Sequence, residues 1–551
     1  KAISQFVADA HAAGVRHVVP YISPITMFGD ADARLGFFEF YDRWGEYERA
    51  FQLGPRPAGD PVSWAQQDPE GDVAFTMGEK QKLGSMRRYS MCVNNPGWRQ
   101  WQMIVARWAA RAGYDGLFMD NVLVHRCYCR YCEAVARELG VSLKDDRGRK
   151  LTWVESYLRY FDDLRREGER ERRGFYLAGN YIELPFQRPV TDRLDLSMVE
   201  KVWLGSPRLL WPGGIWTGFY PPAQRTLNNR TRGNEEAQSL NNIWLAQLSY
   251  AVRGSRGAHL LYGGQAANRG PEFAHNEESA TLALAEGAAF GGGVSVTVVS
   301  GSPFIKETNL PAHDARRAFH AFARQRRQLF EGLLPAGDVA LLVFTDRLEI
   351  ESVLEAQQVH ESLLWGGALV DVLDGETASE QQLARYKLVV VAGRPELPGW
   401  LRSLPQLVRS EDPIAESEVR AVKRNYQRER AVEALRRTGL SAAVARRAAQ
   451  LRAVNAPAGS LVQAAAWGDE RRTVLHLLNF KVPIGHEAGG AARPAGDISV
   501  RLPLPAGKRP RRVEFHSPEA ASAPVRFQEE KGAIVFRPPA FRAYGVCEVV
   551  Y

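Results

Sequence analysis

The chain has 551 residues, of which 45% are hydrophobic, and its formal net charge is +8; this length corresponds to about three or four domains with ample apolar core. The stretch from Arg420 to Arg452 holds ten basic and two acidic residues and so carries the whole excess. The remainder is near neutral, which argues against a nucleic-acid-binding face, and the lack of any run of 18 apolar residues argues against a membrane span.

From Lys1 to about Leu333 the chain alternates apolar, strand-like runs with helical stretches, a pattern typical of parallel βα units. Strands are predicted over residues 17–23, 90–94, 116–121, 174–180, 196–202, 258–263 and 294–300. Seven strands with helices between them predict a (β/α)8 TIM barrel over residues 1–333. Because an eighth strand is missing and the chain begins with a helix, the first barrel strand is expected upstream of Lys1.

The helix that follows the second predicted strand has the clearest boundaries. Trp98, Trp101 and Trp108 recur at helical spacing and predict one apolar face that packs on a sheet. Pro96, with the asparagines before it, supplies the start signal, and Gly113 supplies the stop. The tryptophans are therefore predicted to be core residues rather than a platform for a ligand.

Four of the five cysteines lie in two short segments: Cys92 within the second predicted strand, and Cys127, Cys129 and Cys132 in the segment HRCYCRYC. A CxCxxC run can place three thiolates around one ion, and Cys92 completes the tetrahedral set that structural zinc prefers. Two disulfides or four inert buried thiols are the alternatives. Four thiolates close the coordination sphere, so a structural Zn²⁺ is predicted rather than the open metal site of a metalloenzyme.

Three carboxylates follow predicted barrel strands, at the ends where (β/α)8 enzymes place their working residues. Asp120 ends the apolar run GLFMD, Glu183 follows FYLAGN, and Glu200 closes LSMVE. Two carboxylates suffice to hydrolyse a glycosidic bond, because one stays ionised while the other protonates the leaving oxygen. Each of the three can equally serve as a helix cap or in a loop salt bridge.

Polar and aromatic residues near these strand ends are predicted to bind substrate. The aromatic residues follow Glu200 on a long connection whose helical spacing is broken by Pro212, so they do not form a core-facing stripe. They can stack on the apolar faces of sugar rings or simply pack the loop. The predicted substrate-binding residues are Asn121, Asn180, Trp203, Trp216, Tyr220 and His275.

Beyond Pro335 the sequence remains α/β at first and then becomes all-β. Residues 334–412 are predicted to form a small doubly wound α/β domain of the flavodoxin or amidotransferase type. No cysteine occurs between Cys132 and Cys547, which excludes glutamine amidotransferase chemistry. A basic helical segment is predicted over residues 413–458, as an interaction surface or a solvated helix face. The alternating strands of residues 459–551 predict a C-terminal β-sandwich.

The segments CVNNPGWRQW, GYDGLFMDN and CYCRYC together resemble the hypothetical glycosyl hydrolase family usually called number 6, and more distantly the family 42 β-galactosidases. The resemblance covers most of residues 1–333. In family 42 a cysteine after the third strand and a CxCxxC group after the fourth bind a structural zinc, which implies this role for Cys92, Cys127, Cys129 and Cys132. The domain order is also similar, and the middle domain of family 42 supports trimerisation, which implies a homo-oligomer here, a dimer or a trimer.

One position departs from the family 42 pattern. Those enzymes carry an Asn-Glu pair at the end of the fourth strand, whereas this chain has Asp120 and Asn121. An aspartate at strand four is similar instead to the nucleophile of α-fucosidases and of α-amylase-like or α-galactosidase-like barrels. The resemblance therefore does not imply specificity for β-galactosides.

These observations predict a retaining glycoside hydrolase acting on an oligosaccharide or polysaccharide, with Asp120 as nucleophile and Glu200 as general acid/base. Glu183 is the substitute for Glu200. The alternative is a non-catalytic carbohydrate-binding protein on a hydrolase-like barrel. Neither a nucleic acid nor a membrane is expected as a partner. An export signal removed before Lys1 is compatible with the sequence, which leaves both a cytoplasmic and an exported location open for a soluble protein.

Overall fold

The structure of the chain is a computed structural model. It describes residues 2–76, 84–120, 122, 127–180, 188–202, 243–254, 258–262, 277–292, 296–298, 310–344, 350–392, 395–410, 428–482 and 492–551. These residues divide into two compact units, the first ending at Met198 and the second beginning at Val199. None of the described helices is long and apolar enough to cross a membrane.

The first unit combines helices with short strands. Its helices are α1 (Ala2–Ala12), α2 (Phe37–Asp42), α3 (Trp44–Phe51), α4 (Pro96–Arg111), α5 (Arg130–Glu138), α6 (Asp146–Glu169) and α7 (Arg188–Thr191). Its strands are β1 (Tyr21–Ile22), β2 (Thr26–Asp30), β3 (Leu35–Gly36), β4 (Arg87–Ser90), β5 (Gly116–Met119), β6 (Tyr176–Asn180) and β7 (Leu196–Val202). The last four residues of β7 belong to the second unit.

Four strands of the first unit form a parallel sheet in the order β1-β5-β6-β7. Leu117 and Met119 of β5 are fully buried in a core shared with α4 and α6, so the two helices cover one face of the sheet. Gly116 permits the close approach of β6, since a Cβ there would lie 1.7 Å from the Tyr176 carbonyl oxygen. The predicted parallel βα pattern is thus present in these elements.

A second sheet of the first unit is antiparallel, in the order β3-β2-β4. The predicted barrel strand over residues 90–94 is wrong: the strand here ends at Ser90 and pairs with Thr26 of β2. The chain then turns, with the Asn95 amide donating to the Cys92 carbonyl at 3.0 Å, before α4 begins. An apolar run has the same pattern whichever sheet it joins, so the sequence did not identify the partner.

The second unit has helices α8 (Ile243–Arg253), α9 (Glu277–Ala289), α10 (Leu310–Gln325), α11 (Ile350–Trp365), α12 (Glu380–Leu383), α13 (Gly399–Arg402), α14 (Arg428–Thr438) and α15 (Ala442–Gln450). Its α/β part has strands β8 (Ala258–Tyr262), β9 (Val296–Val298), β10 (Leu334–Pro335), β11 (Val339–Val343), β12 (Val370–Asp374), β13 (Leu388–Ala392) and β14 (Leu407–Ser410). Nine shorter or antiparallel strands follow: β15 (Val454–Asn455), β16 (Val462–Gly468), β17 (Arg472–Asn479), β18 (Ser499–Pro503), β19 (Arg512–Ser517), β20 (Ala520–Val525), β21 (Phe527–Glu530), β22 (Ala533–Phe536) and β23 (Tyr544–Val550).

The second unit contains two sets of parallel strands. Strands β8 and β9 pair in register from Leu260↔Val296 to Tyr262↔Val298. The order β12-β11-β13-β14 forms a parallel sheet whose first three strands are completely buried. Strand order 2-1-3-4 is that of flavodoxin-like doubly wound sheets. The mixed α/β class predicted for the chain is therefore present, with several separate sheets.

The C-terminal strands, together with the short strand β10, form two antiparallel sheets. One has the order β10-β16-β17-β23-β19-β20 and the other β15-β18-β22-β21. Alternate residues such as Leu475, Phe515 and Cys547 pack with Ile534 of the second sheet in one core. Alternation along a strand sends the intervening residues to the opposite face, so the first sheet has a second face outside this core.

Candidate functional site

Asp120 lies at the carboxyl end of β5, where the sequence places the candidate nucleophile. Its backbone N–H donates to the Ile22 carbonyl at 2.8 Å, which extends the parallel pairing with β1 by one residue. Its side chain accepts a hydrogen bond from the Tyr21 hydroxyl, and the residue is only 8% exposed. A buried carboxylate is thus held in place by a neighbouring strand at the end of a parallel sheet.

The alternation of side chains along β5 determines on which face of the sheet the Asp120 side chain lies. Leu117 and Met119 pack against α4 and α6, so Phe118 and Asp120 project from the face away from those helices. Tyr21 is in register with Phe118, and their ring centroids are 5.9 Å apart. Tyr21 and Asp120 therefore meet on one face because of strand register.

Asp115, at the amino end of the same strand, has different partners. One of its oxygens accepts from the Val18 N–H at 2.7 Å, and the other is paired with Arg172. The His11 Nε2 atom lies 3.2 Å from the carboxylate. These contacts join α1, the segment before β1 and the segment after α6 to the start of β5, so Asp115 serves the structure of the first unit.

The described residues include few of the other predicted site residues. The backbone of β6 and β7 is described, with Asn180 in register with Met198 and Glu200 two residues further along β7. The side chains of Asn180 and Glu200 are outside the description. Six predicted residues lie wholly outside the described residues: Asn121, Glu183, Trp203, Trp216, Tyr220 and His275. Their predicted roles therefore remain predictions.

The four predicted metal ligands form one buried cluster. The sulfurs of Cys92, Cys127, Cys129 and Cys132 all lie within 4.8 Å of one another, and none of the four cysteines is more than 7% exposed. The Cys92 sulfur is 3.7 Å from that of Cys129 and 3.6 Å from that of Cys132, and the last two are 3.9 Å apart. All four are free thiols, so the disulfide alternative is wrong.

These separations fit one zinc ion. Zn–S bonds of about 2.3 Å in a tetrahedron separate the sulfurs by about 3.8 Å. Donors also surround the sulfurs: the Gln67 N–H reaches Cys127 at 3.4 Å, and the Asn94 side-chain amide reaches Cys132 at 3.3 Å. Such donors stabilise metal-bound thiolates. The cluster is therefore suited to a structural metal with four sulfur ligands.

Electrostatics inside the cluster favour a cation. Hydrogen bonds from Cys127 and Cys132 lower the pKa of the Cys129 thiol, whereas burial raises the pKa of Cys92. Without a cation only part of the cluster ionises, because neighbouring thiolates repel one another. A divalent ion removes that repulsion and allows all four sulfurs to be thiolates.

The cluster joins different elements from those predicted. Cys92 was expected within a barrel strand, but it lies between the antiparallel strand β4 and α4, and its N–H donates to the Trp64 carbonyl at 3.0 Å. The other three cysteines precede or begin α5. The cluster therefore connects the segment before α4 with the start of α5, and it packs with Leu143 and Ala136.

Tyr21 is a site residue that the sequence did not single out. The only sequence signal was its position in the first predicted strand, in the run VVPYIS. Its partner follows from strand register, which brings together residues 99 positions apart. No spacing rule within the sequence connects them.

Comparison with known proteins gives the fold. No protein-family model matches the chain, and no curated protein matches it. Among solved structures it is similar to α-L-fucosidase isoenzyme 2 from Paenibacillus thiaminolyticus, with a TM-score of 0.61 and 14% identity over 99% of this chain and 89% of the other. It is also similar to a β-galactosidase from Bacillus circulans sp. alkalophilus, with a TM-score of 0.52 and 11% identity over 100% and 97% of the two chains.

The GH42 β-galactosidase Gan42B is a further structural neighbour, with a TM-score of 0.50 and 10% identity over 94% of this chain and 91% of the other. Identities this low establish a shared fold and not a shared activity. The chain thus has a fold like that of glycoside hydrolases over nearly its whole length. The likeness does not single out the family usually called number 6.

Proposed function

We propose that the protein is a glycoside hydrolase that acts on an oligosaccharide or polysaccharide, with Asp120 as its nucleophile. The observation that carries the proposal is the placement of Asp120: buried, at the carboxyl end of a parallel strand, and hydrogen-bonded by Tyr21. Catalytic groups of (β/α)8 enzymes lie at this end. The proposed architecture of the N-terminal region is accordingly a (β/α)8 barrel.

The proposed reaction is a double displacement. The Asp120 carboxylate attacks the anomeric carbon while the glycosidic C–O bond breaks and Glu200 gives its proton to the leaving oxygen. Glu200 then takes a proton from water, which attacks the glycosyl ester and releases Asp120 as a carboxylate. Glu183 is the substitute for Glu200. Retention requires the two carboxyl groups to lie about 5–5.5 Å apart.

The other predicted site residues complete this proposal. Asn121 and Asn180 would donate to sugar hydroxyls, Trp203, Trp216 and Tyr220 would stack on sugar rings, and His275 would be a further hydrogen-bond donor. The cysteine cluster would hold a structural Zn²⁺ that takes no part in the chemistry, because four thiolates leave no open position. The quaternary structure is proposed to be a homo-oligomer, a dimer or a trimer.

A specific feature also supports a second candidate, a carbohydrate-binding protein without catalysis. The chain has Asp120 and Asn121 where family 42 enzymes have an Asn-Glu pair, so the glutamate that serves as acid/base in that pair is absent. A hydrolase barrel that has lost one carboxylate can still bind sugar. Turnover of any glycoside by the purified chain would exclude this candidate.

The test of the proposed function is a screen of nitrophenyl glycosides and natural oligosaccharides, followed by Asp120→Asn on the best substrate. The substitution removes the attacking oxyanion, so kcat should fall by roughly a thousandfold or more. Proton NMR of the first-formed anomer distinguishes retention from inversion. Glu200→Gln and Glu183→Gln, assayed on the same substrate, identify the acid/base, whose loss costs roughly 10²–10⁴-fold.

Asp115→Asn is the matched control, because it makes the same chemical change at the opposite end of β5. It should lower the thermal midpoint through the lost Arg172 and His11 contacts and leave kcat within about twofold, as expected for a group outside the site. Unchanged hydrolysis by Asp120→Asn would refute the assignment of the nucleophile. Binding of sugars without turnover of any substrate would favour the second candidate.

A further inference from the structure

The C-terminal domain contains a second group of metal-ligating side chains. Glu514 and His516 lie on β19 and Glu548 on the neighbouring strand β23, where Glu514 and Glu548 are directly paired. Their intervening neighbours Phe515 and Cys547 are in the sandwich core, so the three ligating residues share the other face of the sheet. One ligand atom from each lies within 4.8 Å of the other two.

His516 is buried, and one of its ring nitrogens forms no hydrogen bond with a described residue. The ring is 1% exposed, and its Nδ1 atom lies 2.8 Å from the Ser522 hydroxyl. Arg326 donates to the same hydroxyl at 2.7 Å, so Ser522 can accept from Arg326 and from an Nδ1–H at once. The Nε2 atom forms no hydrogen bond with any described residue. It faces Glu548 Oε2 at 3.7 Å, which is too long for a hydrogen bond.

The two carboxylates have different partners among the described residues: Glu548 is next to Arg472 and His516, whereas Glu514 has no ion pair there. Arg472 donates to Glu548 Oε1 at 2.8 Å, which leaves Oε2 directed at His516. Glu514 forms no ion pair with any described residue, although it is opposite Glu548 and only partly exposed. Like charges directly opposite on neighbouring strands destabilise a sheet. A cation between these groups would remove that repulsion.

We propose that Glu514, His516 and Glu548 bind a divalent transition-metal ion of the zinc type. An imidazole nitrogen and a carboxylate oxygen that share a tetrahedral ion are about 3.4 Å apart, close to the separation found between Nε2 and Oε2. Ser522 would fix the tautomer of His516 and Arg472 would orient Glu548, as second-sphere partners do in metal sites. The imidazole ligand favours Zn²⁺, Co²⁺ or Ni²⁺ over Mg²⁺ or Ca²⁺.

This site is separate in sequence and in chemistry from the cysteine cluster. It uses nitrogen and oxygen ligands in place of sulfur, and three protein ligands leave a coordination position for water. It would tie β19 to β23 on the face where Arg326 reaches Ser522. The inference does not depend on the proposed glycosidase activity.

Cobalt distinguishes the two sites in the full-length protein. After removal of metal under reducing conditions, Co²⁺ is titrated in while the visible spectrum is recorded. Thiolate ligands give intense charge-transfer absorption, whereas a site of nitrogen and oxygen ligands gives only weak ligand-field bands. We expect a binding event without charge transfer that Glu514→Gln weakens by tenfold or more, with the thiolate bands unchanged. Ser522→Ala, which leaves all three ligands, should weaken it by roughly 10–100-fold.

Glu529→Gln is the matched control, since Glu529 is an exposed glutamate of the same domain on β21. It should leave both cobalt signals intact. Circular dichroism and the thermal midpoint establish that each variant is folded. Absence of the second binding event in the native protein, or equal binding by the native protein, Glu514→Gln and Ser522→Ala, would overturn the proposal and leave His516 as a partner of Glu548 alone.

Discussion

Asp115 and Asp120 are buried carboxylates at opposite ends of one strand. Their hydrogen-bond partners distinguish the structural role of Asp115 from the catalytic role proposed for Asp120. Asp115 accepts from a backbone amide and pairs with an arginine, whereas Asp120 accepts from a tyrosine hydroxyl. The order of the run GYDGLFMDN already puts Asp115 at the amino end and Asp120 at the carboxyl end of the strand. The feature that had to be predicted was the parallel sheet, and the regular alternation of strand-like and helical stretches indicated it.

Tyr21 offers a prediction at the same scale. Its hydroxyl donates to Asp120, so we expect it to act as a positioning residue that holds the attacking oxygen in line. A hydrogen bond to a charged group contributes about 1.5–3 kcal/mol, and Tyr21→Phe should therefore lower kcat by roughly tenfold or more on the best substrate. KM should stay within about threefold, because the substitution leaves the sugar contacts in place. Steady-state kinetics on the variant measures both constants.

Tyr114→Phe is the control for that substitution, since Tyr114 packs against the helices at the amino end of β5. Its kinetics should match those of the native protein. A rise in KM with kcat unchanged in Tyr21→Phe would mean that the hydroxyl binds substrate instead of positioning Asp120.

At the scale of elements, local signals were sufficient for α4 and insufficient for the strand before it. The predicted start signal is observed: Asn95 caps the helix by accepting from the Gly97 N–H at 3.0 Å, and Pro96 is its first residue. The strand before it, β4, belongs to an antiparallel sheet. The sequence could not show this, because the partner residue, Thr26, is some 60 positions away in the chain. Capping is decided within four residues, whereas strand pairing is decided by the whole fold.

The second strand of the small parallel sheet, β12, leads to a pH-dependent prediction. Asp371 accepts hydrogen bonds at 3.0 Å from the Gly337 N–H, the Tyr386 hydroxyl and the Arg385 guanidinium. Burial nevertheless raises its pKa to about 6, above the ordinary value of about 3.9. The proton bound in the folded state therefore stabilises the fold below about pH 4, and this contribution is lost as the pH rises through 6.

Above pH 6 the buried carboxylate is ionised and depends on Arg385 for compensation. Arg385→Met should therefore cost roughly 1–2 kcal/mol of unfolding free energy at pH 8 and much less at pH 5. Urea unfolding at the two pH values measures the difference. Arg402→Met, which replaces an exposed arginine near the same parallel sheet, should show no dependence of this kind. An equal loss for Arg385→Met at both pH values would mean that only its packing matters.

At the scale of the whole molecule, composition and periodicity predicted the classes of structure along the chain but not how the strands are shared among sheets. The parallel βα pattern, the doubly wound order and the C-terminal antiparallel strands all follow from local alternation. The pairing of Tyr21 with Asp120 and of Glu514 with Glu548 depends on register between strands. That information is distributed over contacts between distant residues, which a single sequence does not display.

The division into two compact units gives a prediction that uses two buried cysteines. Cys132 belongs to the cluster of the first unit, whereas Cys547 is buried in the sandwich core of the second. Cys132→Ser removes one of four metal ligands, so it should abolish the thiolate charge-transfer bands of the cobalt protein. It should also lower the midpoint temperature of one calorimetric transition by roughly 5–15 °C, because metal binding contributes directly to folding. Cys547→Ser makes the same chemical change in a buried site without metal, and it should keep the cobalt bands and shift that transition little. Loss of the bands in both variants, or in neither, would show that the four sulfurs are not the metal ligands.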